Sequence, residues 1–459
     1  MKELYRTVSV CPVCVRPTDA RVVEKSGRAV MLKTCPDHGD FEIELCAYAR
    51  RWNELRQFHA AMHPVEAPSH ENVLLLALTV RCNIRCPFCF MFSGPRPFHE
   101  PTLGEITGWL ARHRHERITL YGGEPTVRED LPQILELVRA SGNVSVLQTN
   151  GVKLADLSYC RELRAAGLAE VFLSYDSDRE RRALERFRGA DVVEQRLAAL
   201  DSLERLGIPV FLSASVVGGV NDREMADAID FALSRPCIRG VFFRSAVPLG
   251  PDERPSEQNL RTDQMLDRLR AQTGGRIGYE EVFRFMQLFT ALQPYIRIQR
   301  CWGELAFVVF RSPDGGYVTI DEILDLRGLE PALQRYAEMW REGRRARATA
   351  FLFRRLPQVV GAEHLDLVTH VIGSFLGVAA LRRFGRGATQ RGLSSRTLLL
   401  MFNELCNVNN YDARTASSCP SKTYDDDGRL ISFCTNNLRR QRRWVSNRER
   451  SSAEQERLG

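Results

Sequence analysis

Residues 73–90, VLLLALTVRCNIRCPFCF, decide the reading of this chain. The opening run, Val73 to Leu78, is short and rich in Leu and Val, which predicts a buried strand. It leads into Cys82, Cys86 and Cys89 at the spacing C-x3-C-x2-C, with Phe88 before the last cysteine. Three thiolates in one loop suit a metal cluster: a [4Fe-4S] cluster takes its ligands from such a run, and three cysteines leave one iron open. A zinc loop needs a fourth ligand, and the nearest candidate is His99, ten residues further on.

Outward from that loop, short apolar runs alternate with helix-length stretches, the pattern of a parallel sheet built from βα units. Candidate strands cover residues 73–79, 117–121, 144–148, 170–175, 209–217 and 240–245. Six such units predict a partial (β/α)6 barrel, in which functional residues gather at the C-terminal ends of the strands. After the second strand stands Gly122-Gly123-Glu124-Pro125, whose glycines let backbone approach a ligand closely. After the third comes Gln148-Thr149-Asn150-Gly151, a polar turn whose Asn150 is a candidate to face the site. The fourth carries Ser174, the fifth Ser213, and the sixth ends at Arg244, an arginine able to contact a carboxylate.

Residues 1–70 read as a separate unit. Cys11-Pro12-Val13-Cys14 and Cys35-Pro36-Asp37-His38 bracket a β-rich segment with a turn at Ser26-Gly27, the ribbon-like spacing of a metal site. Its expected ligands are Cys11, Cys14, Cys35 and either His38 or the later Cys46. Three cysteines and a histidine suit zinc, whereas four cysteines equally hold a mononuclear iron. From Arg50 to His70 a helix followed by a polar linker is expected.

A chain of 459 residues with 44% hydrophobic and 26% charged residues is an ordinary globular composition long enough for two or three domains. The expected division is 1–70, 71–290 and 291–459. The net charge of +7 rests on runs such as Arg344 to Arg347 and Arg439 to Arg443. These read as solvated helix faces, and no nucleic acid is expected. There is no signal-peptide core and no apolar stretch near the ~20 residues that span a bilayer. A cytosolic protein is expected, its 13 cysteines serving as metal ligands and thiols rather than disulfides. Cys160 and Cys237 stand alone and are left out of the metal count.

Beyond residue 290, Leu305 to Phe310 and Tyr317 to Ile320 flank a Pro-Asp-Gly-Gly turn and read as a hairpin. Pro331 to Arg383 reads as helical. Cys301, Cys406, Cys419 and Cys434 also lie here, the number that fully ligates an auxiliary [4Fe-4S] cluster.

The cysteine loop, followed one strand and one helix later by Gly-Gly-Glu-Pro, resembles the radical S-adenosylmethionine (radical SAM) superfamily. The resemblance implies an α/β fold: a partial (β/α)6 radical SAM barrel with an N-terminal ribbon-like metal domain and a mainly helical C-terminal cysteine-containing domain. It implies that SAM chelates the open iron and that its reductive cleavage yields a 5′-deoxyadenosyl radical. Gly122, Gly123, Glu124 and Pro125 then receive the SAM amino group, and Asn150, Ser174 and Ser213 lie near its ribose or carboxylate. No catalytic residue is named by it.

A narrower resemblance rests on motifs spread over nearly the whole chain. The N-terminal C-P-x-C and C-x2-H-G pair, the central loop, Cys301, then Asn410-Tyr411-Asp412, Arg414, Cys419 and D-G-R-x-x-x-F-C-x-x-N from Asp427 look like the archaeal tetraether lipid synthase and dihydropterin methylase group. This implies carbon–carbon bond formation, as C-methylation from a methylene-tetrahydrofolate-type donor or as alkyl coupling. The substrate is then a small molecule or lipid-like, and the reductant a flavodoxin or ferredoxin. Two rival readings stay open: a radical SAM peptide or natural-product maturase, marked by an N-terminal winged helix, and a non-catalytic metal-containing binding protein, which leaves the Gly-Gly-Glu-Pro segment unexplained.

Overall fold

The computed structural model describes residues 1–62, 73–86, 89, 91, 99–112, 117–176, 188–246, 258–296, 301, 303–313, 315–360, 395–425 and 427–442. Phe88, the expected linker at 63–70 and the expected helical stretch from 361 to 383 lie outside these residues. The N-terminal segment folds as four antiparallel strands in sequential order: β1 (Lys2–Val10), β2 (Pro17–Lys25), β3 (Arg28–Cys35) and β4 (Gly39–Cys46). The expected turn joins β2 to β3, with positive φ at both Ser26 (+50°) and Gly27 (+79°), as a two-residue hairpin loop requires. This antiparallel sheet is not a winged helix, the feature that would have favoured a peptide maturase. Helix α1 (Ala49–Met62) follows.

The six expected barrel strands are present: β5 (Val73–Thr79), β6 (Arg117–Gly122), β7 (Val144–Thr149), β8 (Leu168–Ser174), β9 (Val210–Val216) and β10 (Ile238–Ser245). They are parallel and adjacent in sequence order. Helices α2 (Leu103–Arg112), α3 (Leu131–Ala140), α4 (Leu157–Ala166), α5 (Val193–Arg205) and α6 (Met225–Ser234) alternate with them, and α7 (Thr262–Gln272) and α8 (Tyr279–Ile296) follow.

Because side chains alternate across a strand, each strand feeds two different environments. Leu74, Leu76, Leu120, Leu173, Leu212, Val241 and Phe243 join the large core with the helices. The opposite face carries Phe172, Phe211, Phe242 and Met401 as a separate cluster, with Phe172 and Phe211 stacked at 5.1 Å. Two residues further along the same faces stand Ser174, Ser213 and Arg244. The inner face thus turns from aromatic to polar toward the strand C-termini, which closes one end of the barrel and leaves a polar mouth at the other.

The C-terminal third supplies helices α9 (Leu326–Arg341) and α10 (Arg345–Arg355), the helical character expected of it. The expected hairpin is β11 (Glu304–Arg311) with β12 (Tyr317–Thr319), paired Val309↔Thr319. The sequence reading did not anticipate that this segment also extends the barrel sheet at both edges. Strand β13 (Thr397–Asn403) pairs parallel with β10, while β14 (Ser421–Tyr424) and β15 (Leu430–Ser432) extend it beyond β5. Among the described residues no helix is long and apolar enough to cross a membrane.

Candidate active site

The cysteine loop and the Gly-Gly-Glu-Pro segment are interlocked through their backbones. Thr79 at the end of β5 pairs with Gly122 at the end of β6; Gly123 N donates to Thr79 O at 2.7 Å and Glu124 N to Arg81 O at 2.8 Å. A Cβ on Gly123 would stand 2.6 Å from Val80 O and closer still to Arg81 O. The glycines are therefore required by the cysteine loop itself, a constraint more immediate than the expected approach of a ligand.

Glu124 is 1% exposed, and both of its oxygens are engaged. Oε1 accepts from Thr126 N, Thr126 Oγ1 and Thr149 Oγ1, and Oε2 accepts from Asn150 N at 2.7 Å. Burial raises its pKa, opposed by these donors. The carboxylate thus ties the loop after β6 to the loop after β7. Asn150 carries the tie onward: its Nδ2 donates to Asn83 Oδ1 at 2.7 Å and lies 3.8 Å from Cys82 Sγ.

Cys82, Cys86 and Cys89 border a cavity of about 160 Å³ at this mouth, together with Gly122, Gly123, Glu124, Asn150, Ser174 and Ser213. Every one of the cysteines, glycines and polar residues expected at the mouth except Pro125 lines it. Pro125 is buried at the start of a 3₁₀ turn behind it. Burial pushes the Cys82 thiol up. His99 does not line this cavity; it is exposed and meets Glu105 at 2.8 Å.

Arg188 also lines the cavity, and sequence reasoning missed it. Its Nε donates to Asp176 Oδ2 at 2.6 Å, its Nη2 to Ser215 Oγ at 3.2 Å, and its Nη1 lies 3.8 Å from Cys86 Sγ. No spacing signal marks it within the arginine-rich run before Gly189. Burial works to raise the Asp176 pKa, but the charge and hydrogen bonds of Arg188 hold it below the usual carboxylate range. Its contribution is present above the unfolded-state value of about 3.9 and is lost as pH falls through the lower folded value. Asp176→Asn leaves a buried guanidinium uncompensated and is expected to cost about 3–5 kcal/mol at pH 7. In urea titrations at descending pH the gap to wild type narrows below about pH 4; a gap independent of pH would contradict the ion-pair account.

In the ribbon, Cys11, Cys14, Cys35 and His38 bring one ligand atom each within 4.8 Å of one another. Cys14 and Cys35 Sγ are 3.9 Å apart, and Cys11 Sγ and His38 Nδ1 3.8 Å. A tetrahedron of ligands about 2.3 Å from zinc has edges of about 3.8 Å, so the set fits a single ion. The hydrogen bond from His38 brings the Cys35 thiol down to about 6. Cys46, the alternative ligand, is excluded by register. It pairs with Ala29, whereas Cys35 pairs with Gly39 at the far end of the same hairpin. Cys46 meets Tyr279 Oη at 3.4 Å instead, and burial pushes its thiol up to about 12.

Cys301, Cys406, Cys419 and Cys434 also converge. The neighbouring Cys419 raises the thiol of Cys301, and Cys434 that of Cys406. Cys406 follows β13, next to β10, and Cys434 follows β15, beyond β5, so they come from the two sides of the six-strand barrel sheet and meet. Among the described residues only the ribbon set has all its ligand atoms within 4.8 Å. The wider C-terminal set offers four thiolates to a group larger than one ion, since in a cluster each thiolate binds a different iron. The two cysteine sets share one apolar wall, with Met91, Tyr121 and Phe433 packing against both Cys89 and Cys434.

The ribbon grips the loop between Cys406 and Cys419. Tyr5 Oη and Thr7 Oγ1 donate to the two oxygens of Asp412 at 2.9 and 2.6 Å. Lys33 Nζ donates to Val408 O at 2.7 Å and Asn409 O at 3.0 Å. Cys160 and Cys237 are buried apart from these sets, as expected of structural thiols.

Residues 76–232 match the Radical SAM superfamily, a domain that works with a [4Fe-4S] cluster and SAM, and residues 4–46 match the HMPTM N-terminal zinc ribbon domain. The chain is 26% identical to 7,8-dihydro-6-hydroxymethylpterin dimethyltransferase of Methanocaldococcus jannaschii, over 95% of this chain and 94% of that protein. It is 33% identical to the probable GTP 3′,8-cyclase of Pyrococcus abyssi over 35% of this chain, and spans about half (52%) of that relative. A solved structure, native anSMEcpe with bound AdoMet, superposes with a TM-score of 0.38 at 17% identity, covering 51% of this chain and 73% of that one.

Proposed function

We propose that this chain, a radical SAM enzyme by its domain at residues 76–232, forms carbon–carbon bonds by C-methylation or alkyl coupling on a small-molecule or lipid-like substrate. What carries the reading is a likeness extending over 95% of the chain to a protein named for dimethylating a dihydropterin. A span of that length takes in the barrel mouth and the C-terminal cysteines, and the ribbon matches its own domain model at residues 4–46. Cys82, Cys86 and Cys89 would hold a [4Fe-4S] cluster, which with SAM would supply the 5′-deoxyadenosyl radical chemistry at this mouth.

The chain's own groups bind, orient and exclude water. Gly122 to Pro125 keep the cysteine loop in register and present backbone groups to SAM. Asn150, Ser174 and Ser213 offer amide and hydroxyl groups toward its ribose and carboxylate, and Arg188 offsets thiolate charge beside Cys86. Met91, Tyr121 and Phe433 form the apolar wall. Cys301, Cys406, Cys419 and Cys434 would hold an auxiliary [4Fe-4S] cluster and Cys11, Cys14, Cys35 and His38 a zinc ion, and a flavodoxin or ferredoxin would deliver the electrons.

The test is incubation of the dithionite-reduced, reconstituted protein with SAM, 7,8-dihydro-6-hydroxymethylpterin and methylene-tetrahydrofolate. A product heavier by one or two methyl groups supports C-methylation. Abundant 5′-deoxyadenosine with unchanged pterin overturns the pterin as substrate. The grip of the ribbon on the C-terminal loop gives a second expectation. Asp412→Ala combined with Lys33→Met lowers bound iron by about four per chain, one cluster's worth, while 5′-deoxyadenosine is still formed. Unchanged iron would show that the loop holds its cysteines without the ribbon.

A further inference from the structure

Among the described residues, three charged side chains other than the cysteines line the cavity at the barrel mouth: Glu124, Arg188 and Arg244. The first two are committed. Glu124 accepts four hydrogen bonds from the loops after β6 and β7, and Arg188 is paired with Asp176. Arg244 is not. Its guanidinium lies 4.3 Å over the Phe242 ring, a stacking that leaves the in-plane N–H groups free to donate. Its Nε is buried without a hydrogen-bond partner.

The neighbouring strand repeats the pattern. Arg244 on β10 pairs in register with Asn403 on β13, so both side chains stand on the inner face about 5 Å apart at Cβ. Asn403 is 9% exposed and lines the adjoining cavity bordered by Cys301, Cys406 and Cys434 rather than the one that Arg244 lines; its Oδ1 also lacks a partner, and an amide can turn its NH₂ toward the point between them instead. Glu304 on β11 stands opposite Asn403 and exerts only a charge interaction on Arg244, whose burial brings its pKa down to about 10. A desolvated guanidinium with an open donor, beside an open amide, is a site for an acceptor of opposite charge.

We propose that Arg244 and Asn403 bind an oxyanion of the substrate, a carboxylate or a phosphate, and so orient the carbon to be attacked. This rests on the radical SAM reading of the same cavity. Arg244 and the cysteine loop border one cavity, so the substrate's oxyanion is separated from the SAM carboxylate by measuring anion binding with SAM already bound. Orientation by a remote anion is how binding at a non-reacting group places the reacting one.

The test uses the full-length reconstituted protein with SAM bound, titrated calorimetrically with inorganic phosphate and, separately, with acetate. Wild type is expected to bind at least one of them. Arg244→Met is expected to weaken that binding at least about tenfold, the scale of losing a charge-assisted hydrogen bond, and to leave SAM affinity within about twofold. Arg244→Lys keeps the charge but loses the planar fork and should fall between. Asn403→Asp supplies Arg244 with an internal carboxylate and should abolish anion binding without removing the arginine, so the question is answered even if Arg244→Met fails to fold. Absence of anion binding in wild type, equal binding in the variants, or a tenfold loss of SAM affinity with anion binding intact overturns the proposal. Failure of the radical SAM reading is separate: it shows as wild-type protein that makes no 5′-deoxyadenosine, whereas anion binding is measured without reduction.

Discussion

Replacing Cys82, Cys86 and Cys89 together with alanine is expected to abolish 5′-deoxyadenosine formation, by at least about 10³-fold, the scale seen when the groups that perform a reaction are removed. The three side chains come from one loop and border one cavity, so the substitution strips the mouth of its thiolates while touching neither of the other cysteine sets. The measurement is anaerobic reconstitution of wild type and variant, iron and sulfide counting, and chromatography of the nucleoside products after addition of SAM and dithionite. The variant should retain one metal ion in the ribbon and the iron held by Cys301, Cys406, Cys419 and Cys434. SAM cleavage by the variant at the wild-type rate would place the chemistry elsewhere. Loss of all iron would show that the C-terminal cysteines hold no cluster of their own.

Gly123→Ala is expected to disable the same site without removing a ligand. The new methyl would stand 2.6 Å from Val80 O and nearer still to Arg81 O. Both are backbone atoms of the cysteine loop, held by strand pairing on one side and by the Glu124 N to Arg81 O bond on the other. Neither can rotate away. Relief requires breaking the bonds from Gly123 N and Glu124 N, about 1 kcal/mol each, on top of about 1–3 kcal/mol of overpacking. A loss of about 3 kcal/mol or more in urea titrations is expected, together with loss of SAM cleavage. Gly104→Ala in helix α2 is the control, because its Cβ meets only Thr102 Oγ1 at 3.9 Å and alanine favours helix by about 1 kcal/mol. A neutral Gly123→Ala would mean that the two loops are not interlocked as described.

The legible part of the fold was the part written in local pattern. Leu and Val runs separated by helix-length stretches located all six barrel strands, because a strand buried on both faces reads as a near-continuous apolar run. The ribbon knuckles and the cysteine loop were legible because a metal site built from one or two short loops fixes its spacing in sequence. Strand β13 was passed over, since a short apolar run cannot be told from a buried helix by periodicity alone. Arg188 was invisible for a different reason: one arginine among many acquires its place only when Gly189, at φ +70°, seats it beside Cys86 and Asp176.

Sequence alone determined the six barrel strands, the thiolate loop and the ribbon, all encoded within a few residues or within the period of a strand. Tertiary structure decided everything that depends on which distant segments become neighbours. Strand register chose His38 over Cys46, because the two cysteines of one hairpin stand at opposite ends of it. The curl of the sheet brought Cys406 and Cys434 together from the two sides of the six barrel strands. The pairing of β10 with β13 set Arg244 beside Asn403, two residues 159 positions apart. Such contacts carry no local signature, because the free energy that forms them comes from burying the faces of the sheet and not from the residues that meet.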